Sequence, residues 1–153
     1  MLRKRLGDDL AQAMKARDPR RVSTLRLILA ALKDRDIAAR GKGDTEGIGD
    51  DQILQMLTTM VRQRRDSIVQ YEKGGRIDLA EQEREEIAII EEYLPRQLDD
   101  DEIRAAARDV IAESGAGGLK DMGRVMGVLR QKFPGQMDLG KASGIVKELL
   151  RGE

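Results

Sequence analysis

Apolar residues recur at helical spacing near the beginning of the chain, with polar residues between them. The first helix is predicted from apolar residues that follow one another every four positions: Leu2, Leu6, Leu10 and Met14. The second is predicted from apolar residues spaced i, i+3, i+4 and i+7: Leu25, Ile28, Leu29 and Leu32. Asp18 followed by Pro19 is typical of a helix cap and a first helical position, so the second helix should begin here.

A helical hairpin is predicted for the middle of the chain. Residues 40–50 contain four glycines and predict a mobile loop. A long helix from Asp50 to about Lys73 follows from the apolar residues in and beside a heptad pattern: Leu54, Leu57, Met60, Val61 and Ile68. The glycine pair at 74–75 should end it, and an acidic helix from Asp78 to Tyr93 should then fold back antiparallel. Its glutamates could pair with arginines of the hairpin: Arg62, Arg64, Arg65 and Arg84.

The helical pattern is interrupted between residues 91 and 102. Leu94 precedes a proline, which disfavours the α region, and Pro95 has no N–H group with which to continue a helix. Asp99 and Glu102 have the spacing of a capping box at the beginning of a new helix. The sequence therefore predicts an all-α protein with a helical-hairpin subdomain over residues 1–94 and a three-helix subdomain over residues 95–153.

Three shorter apolar stripes predict the helices of the second subdomain. Their apolar residues are Ile103, Ala106, Ala107, Val110 and Ile111, then Met122, Val125, Met126 and Leu129, then Ala142, Ile145, Val146 and Leu149. Two glycine pairs, Gly123 with Gly127 and Gly140 with Gly144, are spaced four apart on the last two helices. Small residues at this spacing favour a tight helix crossing; the alternative is a smooth surface along which a nucleic-acid backbone could lie.

The amino-acid composition excludes most of the usual kinds of catalytic site. The chain contains no cysteine and no histidine, which excludes thiolate nucleophiles, zinc–thiolate sites and histidine general bases. The acidic helix of residues 78–93 could resemble a di-metal carboxylate site, but such sites need a Glu-x-x-His motif. No catalytic residue, metal or cofactor is therefore predicted, and the chain is not expected to be an enzyme by itself.

Two further features concern the cellular compartment. No apolar run reaches the length of about eighteen residues that a membrane-spanning helix needs. The first nine residues carry charges where a signal peptide has its apolar core. The sequence predicts a cytoplasmic protein with no membrane partner.

The net charge is zero but is unevenly distributed. Residues 1–35 have a net charge of +6, residues 36–98 of −5, and residues 119–153 of +3. A basic excess is compatible with binding a polyanion, and equally with a basic end of the chain packing on the acidic middle. For binding a polyanion, the second subdomain offers six candidate contacts: Lys120, Arg124, Arg130, Lys132, Lys141 and Lys147. Such residues contact phosphates and position a nucleic acid without reading its sequence. Because aromatic residues are scarce, structured RNA is favoured over single strands that stack on aromatic rings.

Several segments of this chain, in order, resemble the YqeY-like family: residues 64–71, 76–83, 93–98, 120–126 and 141–150. The resemblance covers nearly the whole chain and implies a two-part all-α fold. The same module is similar to the tail of the B subunit of the glutamine-dependent tRNA amidotransferase, where it grips the body of the tRNA. The resemblance therefore implies tRNA or another structured RNA as the partner, with amidotransferase or aminoacyl-tRNA-related proteins as further candidates.

Two alternatives stay open. The chain could be an accessory component of an amidotransferase-type reaction, a carbon–nitrogen ligase activity with glutamine as amido donor, but it has no glutaminase nucleophile and would need partners. It could also be a protein-interaction adaptor that uses the acidic rod of residues 50–93. One departure from the amidotransferase tail is that Gly135 is followed by Gln136 rather than by a basic residue.

Overall fold

The computed structural model describes residues 1–152 and confirms the all-α class. Within this range the chain forms α-helices, one short 3-10 turn at Leu119–Asp121, and no strand. The helices are α1 (Leu2–Ala16), α2 (Pro19–Gly41), α3 (Asp50–Lys73), α4 (Ile77–Glu91), α5 (Asp100–Ser114), α6 (Met122–Lys132) and α7 (Leu139–Leu150). They divide into two compact units, Met1–Leu94 and Pro95–Glu153.

The first unit is built on the hairpin of α3 and α4. The turn between them contains Gly75, whose φ of 73° is in the left-handed region that favours glycine. The two helices are antiparallel, because Arg84 pairs with Glu72 near the turn whereas Arg65 pairs with Glu91 far from it. Helices α1 and α2 cover this hairpin and complete a core whose fully buried side chains include Leu6, Leu25, Ile28, Ile53, Met56, Leu57 and Ile90.

A buried ionic cluster lies between α3 and α4. Arg64 Nε donates a hydrogen bond to Glu86 at 3.0 Å and lies 3.8 Å from Glu83. The side chains of Arg64 and Glu86 are only 14% and 8% exposed. Burial raises the pKa of Glu83 above its ordinary value, and the negative charge of Glu86 raises it further. The predicted pairing of hairpin arginines with glutamates is thus confirmed for Arg64, Arg65 and Arg84.

Three predicted details of the first unit were wrong. Met14 is 51% exposed, and Ala13 is buried instead. A spacing of four residues advances about 40° beyond a full helical turn, so three such steps carry Met14 about 120° away from the face of Leu2. Helix α4 ends at Glu91 rather than at Tyr93. Leu54 is only half-buried, and Ile53 fills the core in its place.

The glycine-containing loop is shorter than predicted, because α2 continues to Gly41, and its end is anchored. The Asp36 carboxylate accepts hydrogen bonds from the Ile48 N–H at 2.9 Å and from Arg3 at 2.5 and 3.1 Å. These bonds, that with Arg3 foremost, lower the pKa of Asp36 below its ordinary value. Ile48 itself is buried in the core of the unit. The loop therefore holds the start of α3 against α1 and α2.

The second unit is a three-helix core formed by α5, α6 and α7. Asp99 caps α5 as predicted: its side chain accepts the Glu102 N–H at 2.8 Å, and Glu102 accepts the Asp99 N–H at 3.1 Å. Asp138 caps α7 by accepting the Lys141 N–H. The buried hydrophobic residues of the unit are Ile103, Ala107, Val110, Val125, Leu129, Met137, Ala142, Ile145 and Val146.

The first residues of this unit are tied to its last turn. The Leu98 N–H donates to the Gln136 carbonyl at 2.8 Å, and the Gln97 amide donates to the Gly135 carbonyl at 2.7 Å. Arg96 forms a bidentate ion pair with Glu102 at 2.8 and 3.0 Å. This pair, with the Asp99 N–H, lowers the pKa of Glu102 from 4.5 to about 2.

Candidate nucleic-acid interface

All six basic residues proposed as phosphate contacts are exposed on the second unit. Lys120 lies in the 3-10 turn before α6. Arg124, Arg130 and Lys132 lie on α6, whereas Lys141 and Lys147 lie on α7. All six side chains are therefore open to solvent. They differ in whether a carboxylate of the protein pairs with them.

Three of the six pair with carboxylates of the same unit. Arg124 lies 3.3 Å from Asp121, Lys132 lies 3.2 Å from Glu113, and Lys141 pairs with Asp100. Within residues 1–152, no carboxylate lies within salt-bridge distance of the other three, which are Lys120, Arg130 and Lys147. These three cations are the ones whose charge is least compensated by the protein itself.

Arg130 shares an outward face of α6 with two glycines. Successive residues of an α-helix are rotated by about 100°, so Gly123, Gly127 and Arg130 lie within about 60° of one another. Val125 and Leu129, on the opposite side of the helix, are fully buried. Lys132 projects from a different side of α6 than Arg130 does. Its ammonium group donates a hydrogen bond to Glu113 of α5. The structure thus divides the predicted α6 contacts between two faces.

The same arrangement recurs on α7. Gly140, Gly144 and Lys147 have the spacing of Gly123, Gly127 and Arg130, displaced by seventeen residues. Gly140, Gly144 and Lys147 are exposed, whereas Ile145 and Val146 are buried. We call these six residues the glycine–cation faces of α6 and α7. In the sequence, these faces correspond to a Gly-x3-Gly-x2-basic pattern that occurs twice. The repeat becomes visible only when the two glycine pairs are compared together with the basic residue that follows each.

The favoured interpretation of the glycine pairs, a tight helix crossing, was wrong for Gly123, Gly127 and Gly144. A Cβ atom added at Gly123, Gly127 or Gly144 would meet no heavy atom within 4 Å. Each glycine in a helix interior costs about 0.5–1 kcal/mol relative to alanine. Packing within the unit therefore does not explain why these helices carry glycine on their outward faces.

The Asp121 carboxylate, which pairs with Arg124, remains ionised near neutral pH because its surroundings lower its pKa. The Gly117 N–H is the main cause of a lowered pKa for Asp121, to which Arg124 and Lys120 also contribute. The turn between α6 and α7 carries no cation after Gly135, where Gln136 and Met137 follow. Met137 is buried, and the Gln136 carbonyl accepts the Leu98 N–H. Positive charge in this unit is therefore presented by the helices rather than by the turn between α6 and α7.

In the part of the chain that the structure describes, no group of three or more acidic side chains is arranged to hold a metal ion. Over the same residues, none of the helices combines the length and the apolar character that crossing a bilayer requires.

Fold and surface together define a two-unit all-helical protein with cations and open glycines on two helices of its second unit. The sequence matches the family described as "Yqey-like protein" over residues 3–150. The chain therefore belongs to the YqeY-like family, as its motifs indicated.

Curated relatives are yeast proteins named "Altered inheritance of mitochondria protein 41, mitochondrial". The protein of Lachancea thermotolerans is 37% identical over 89 residues, which cover 58% of this chain and 46% of the relative. The protein of Vanderwaltozyma polyspora is 31% identical over 124 residues, which cover 76% and 64%. That of Saccharomyces cerevisiae is 34% identical over 89 residues, or 58% and 46%. The chain thus spans about half to two thirds of the relatives it matches.

The relatives correct one prediction. They are named as mitochondrial proteins, which contradicts the prediction of a cytoplasmic chain. The physical reason is that the features used for that prediction, the missing apolar run and the charged first residues, argue only against secretion and membrane insertion. They do not distinguish one aqueous compartment from another.

Proposed function

We propose that this protein is a non-catalytic module that binds tRNA or another structured RNA through the glycine–cation faces of α6 and α7. The observation that carries the proposal is the combination of exposed cations without carboxylate partners, Arg130 and Lys147, with outward glycines that no packing contact requires. The resemblance to a tRNA-gripping tail supports it, because two of the segments that carry the resemblance, residues 120–126 and 141–150, include parts of α6 and α7.

The chemistry of these faces suits a sugar–phosphate backbone. Guanidinium and ammonium groups pair with phosphates, and helix positions without a Cβ allow a backbone to approach closely. Phe133 is the single aromatic residue of residues 95–152 and is half-buried, so the unit offers little for base stacking. Recognition by shape and by phosphate contacts is the mode that remains.

A tRNA titration at several salt concentrations tests the proposal. Phosphate contacts predict that log K falls linearly with log salt, and removing one contact should reduce the slope by about one unit at most. We expect the double variant Arg130→Gln/Lys147→Gln to weaken binding and to flatten the slope by up to about two units.

Arg108→Gln is the matched control, because Arg108 is an exposed basic residue of α5 in the same unit. It should leave both affinity and slope close to those of the unmodified protein. The absence of measurable tRNA binding at low salt would overturn the proposal, as would equal losses in the control and the double variant.

The acidic-rod adaptor receives less support. The glutamates of the hairpin are largely engaged in ion pairs with arginines of the same unit, which leaves less free charge than the sequence implied. The pairs are Arg20–Glu85, Arg21–Glu92, Arg64–Glu86, Arg65–Glu91 and Arg84 with Glu72 and Glu81.

The amidotransferase alternative is tested separately, since it does not depend on the acidic rod. The pure protein should form no product from glutamine, ATP and glutamyl-tRNA.

A further inference from the structure

Helix α2 has an outward face that the other helices of the first unit leave open. Leu27 and Ile37 are 47% and 54% exposed, and Ala30 between them is also exposed. At about 100° per residue these three side chains lie within a sector of about 80°. The buried residues of α2 lie on the opposite side of the helix: Thr24, Leu25, Ile28 and Leu32.

A row of cations follows one edge of this apolar stripe. Arg26, Lys33 and Arg40 are seven residues apart, so each is about 10.5 Å farther along the helix axis. All three are exposed, and within residues 1–152 no carboxylate lies within salt-bridge distance of them. By contrast, Arg20 and Arg21, which face α4, pair with Glu85 and Glu92. Arg20 and Arg21 are therefore paired with carboxylates, whereas Arg26 and Lys33 are not, and Arg40 interacts with Asp36 only beyond ion-pair distance.

A shallow groove adjoins one end of the stripe. It lies between α2 and α4 and is lined by Arg20, Ser23, Arg26, Leu27, Gln82 and Glu86. Leu27 and Arg26 thus belong both to the stripe and to the groove. An apolar side chain placed beside Leu27 could extend into this groove and gain burial there.

We propose that Arg26, Leu27, Ala30, Lys33, Ile37 and Arg40, here called the outer α2 face, dock an acidic amphipathic helix of another protein. The stripe from Leu27 to Ile37 is about 15 Å long, which about three turns of a partner helix would cover. Apolar residues of the partner cover Leu27, Ala30 and Ile37. Its glutamates or aspartates, at heptad spacing, lie opposite Arg26 and Lys33, as charged residues flank the apolar seam of a coiled coil.

Asp34 distinguishes this occupant from a uniformly anionic one. It is exposed and lies on the stripe itself, between the angular positions of Leu27 and Ala30. An RNA backbone or an anionic lipid surface pressed onto the face would bring negative charge against Asp34. A protein helix can place a lysine or a small residue there while keeping its carboxylates opposite the basic edge. Phosphates would also leave Leu27 and Ile37 without apolar partners.

A second copy of the chain is disfavoured by charge. In an antiparallel two-fold pairing of α2 with itself about Lys33, Lys33 would meet Lys33 and Arg26 would meet Arg40. A parallel two-fold pairing would place each cation of the row beside its own copy. Like charges in such contacts are destabilising, so the face complements an acidic partner better than itself.

The test uses the full chain and a synthetic helical peptide of about 20 residues, long enough to span the face. The peptide carries glutamates at heptad spacing beside a Leu/Ala stripe, with one lysine opposite Asp34. The control peptide has lysine in place of each glutamate. We expect fluorescence anisotropy to show saturable binding of the acidic peptide and at least tenfold weaker binding of the basic one.

Two variants of the protein locate the contact. Arg26→Glu/Lys33→Glu should weaken binding of the acidic peptide by about tenfold or more, since it removes two attractive pairs and creates two repulsive ones. Leu27→Gln should weaken it with the charge unchanged. The matched control is Lys15→Glu/Lys73→Glu, at exposed lysines of other helices. Arg40 is left intact because it contributes to the lowered pKa of Asp36.

Several results would overturn the proposal. They are equal binding of the two peptides, no binding of the acidic peptide, and equal losses in the control protein and the Arg26→Glu/Lys33→Glu variant. A larger loss of binding to tRNA or to phosphatidylserine vesicles than to the peptide would also overturn it, because the face would then serve an anionic polymer or a lipid. If Arg26→Glu/Lys33→Glu unfolds, Arg26→Gln/Lys33→Gln takes its place. This variant removes the two positive charges without adding negative ones, and it should also weaken binding of the acidic peptide.

Discussion

Replacing the outward glycines with alanine should stabilise the fold and weaken RNA binding. Gly127 and Gly144 lie inside α6 and α7, and a methyl group at either position meets no heavy atom within 4 Å. Alanine restricts the unfolded chain and favours the helix, so each replacement should stabilise the second unit by about 0.5–1 kcal/mol. Because the two glycines lie on different helices with open space around each, the double variant should gain about 1–2 kcal/mol.

The assay is thermal unfolding followed by circular dichroism, beside a tRNA titration at fixed salt. For a unit of this size, 1 kcal/mol corresponds to a rise in Tm of about 4–8 °C. The added methyl groups hold a nucleic-acid backbone away from the helices, and a tenfold weaker tRNA affinity would correspond to about 1.4 kcal/mol. Stability and binding should therefore change in opposite directions, as expected where function maintains a local cost in stability.

Gly115→Ala is the control for the helix-propensity argument. Gly115 ends α5 with a φ of 69°, in the left-handed region where alanine is strained, so this change should lower Tm. A lower Tm for Gly127→Ala or Gly144→Ala would refute the conclusion that these positions are open. A higher Tm with unchanged tRNA affinity would show that the glycine faces are not the binding surface.

Three further predictions concern stability. Glu102→Gln should lower the free energy of unfolding at pH 7, because the ion pair with Arg96 lowers the pKa of Glu102 from 4.5 to about 2. The stability that this pair contributes is present above pH 4.5 and is lost as the pH falls towards 2. Urea unfolding should therefore show that the variant and the unmodified protein become equally stable in acid. Gly47→Ala should destabilise the first unit, because φ is 89° and the new Cβ would lie 2.8 Å from Arg3 Nη2 and Asp36 Oδ1; an unchanged Tm would contradict this. Ile28→Ala should cost about 2–5 kcal/mol in denaturant unfolding, since Ile28 is fully buried, and a loss below about 1 kcal/mol would mean that the core closes over the cavity.

Local chemistry was sufficient to predict much of the fold. The N-caps Asp18 and Asp99 act through their own side chains and neighbouring N–H groups, so short-range sequence determines them. The long helix Asp50–Lys73 follows from apolar residues at three successive positions of heptad spacing, Leu54, Val61 and Ile68. Met14 was wrongly assigned to the buried face of α1. Residues spaced four apart shift by about 40° around the helix at each step, so the series leaves the buried face after a few steps.

The candidate site was only partly predictable. Charge counting identified Arg130 and Lys147 together with Lys132 and Lys141, but could not separate free cations from paired ones, because Glu113 and Asp100 reach them across the fold. The role of the glycines depended on what surrounds each one, which spacing does not contain. The row of Arg26, Lys33 and Arg40 was visible as a basic excess, but its outward direction required knowing which face of α2 is buried.

The buried cluster of Arg64, Glu83 and Glu86 has a consequence for the uniqueness of the fold. The short turn at Gly74–Gly75 already limits how far α3 and α4 can slide along one another. The cluster adds a constraint on rotation, because turning either helix about its axis would expose one member and leave its partner in the interior without an ion pair. Breaking a buried pair in this way costs about 3–5 kcal/mol, so the cluster selects which faces of α3 and α4 meet.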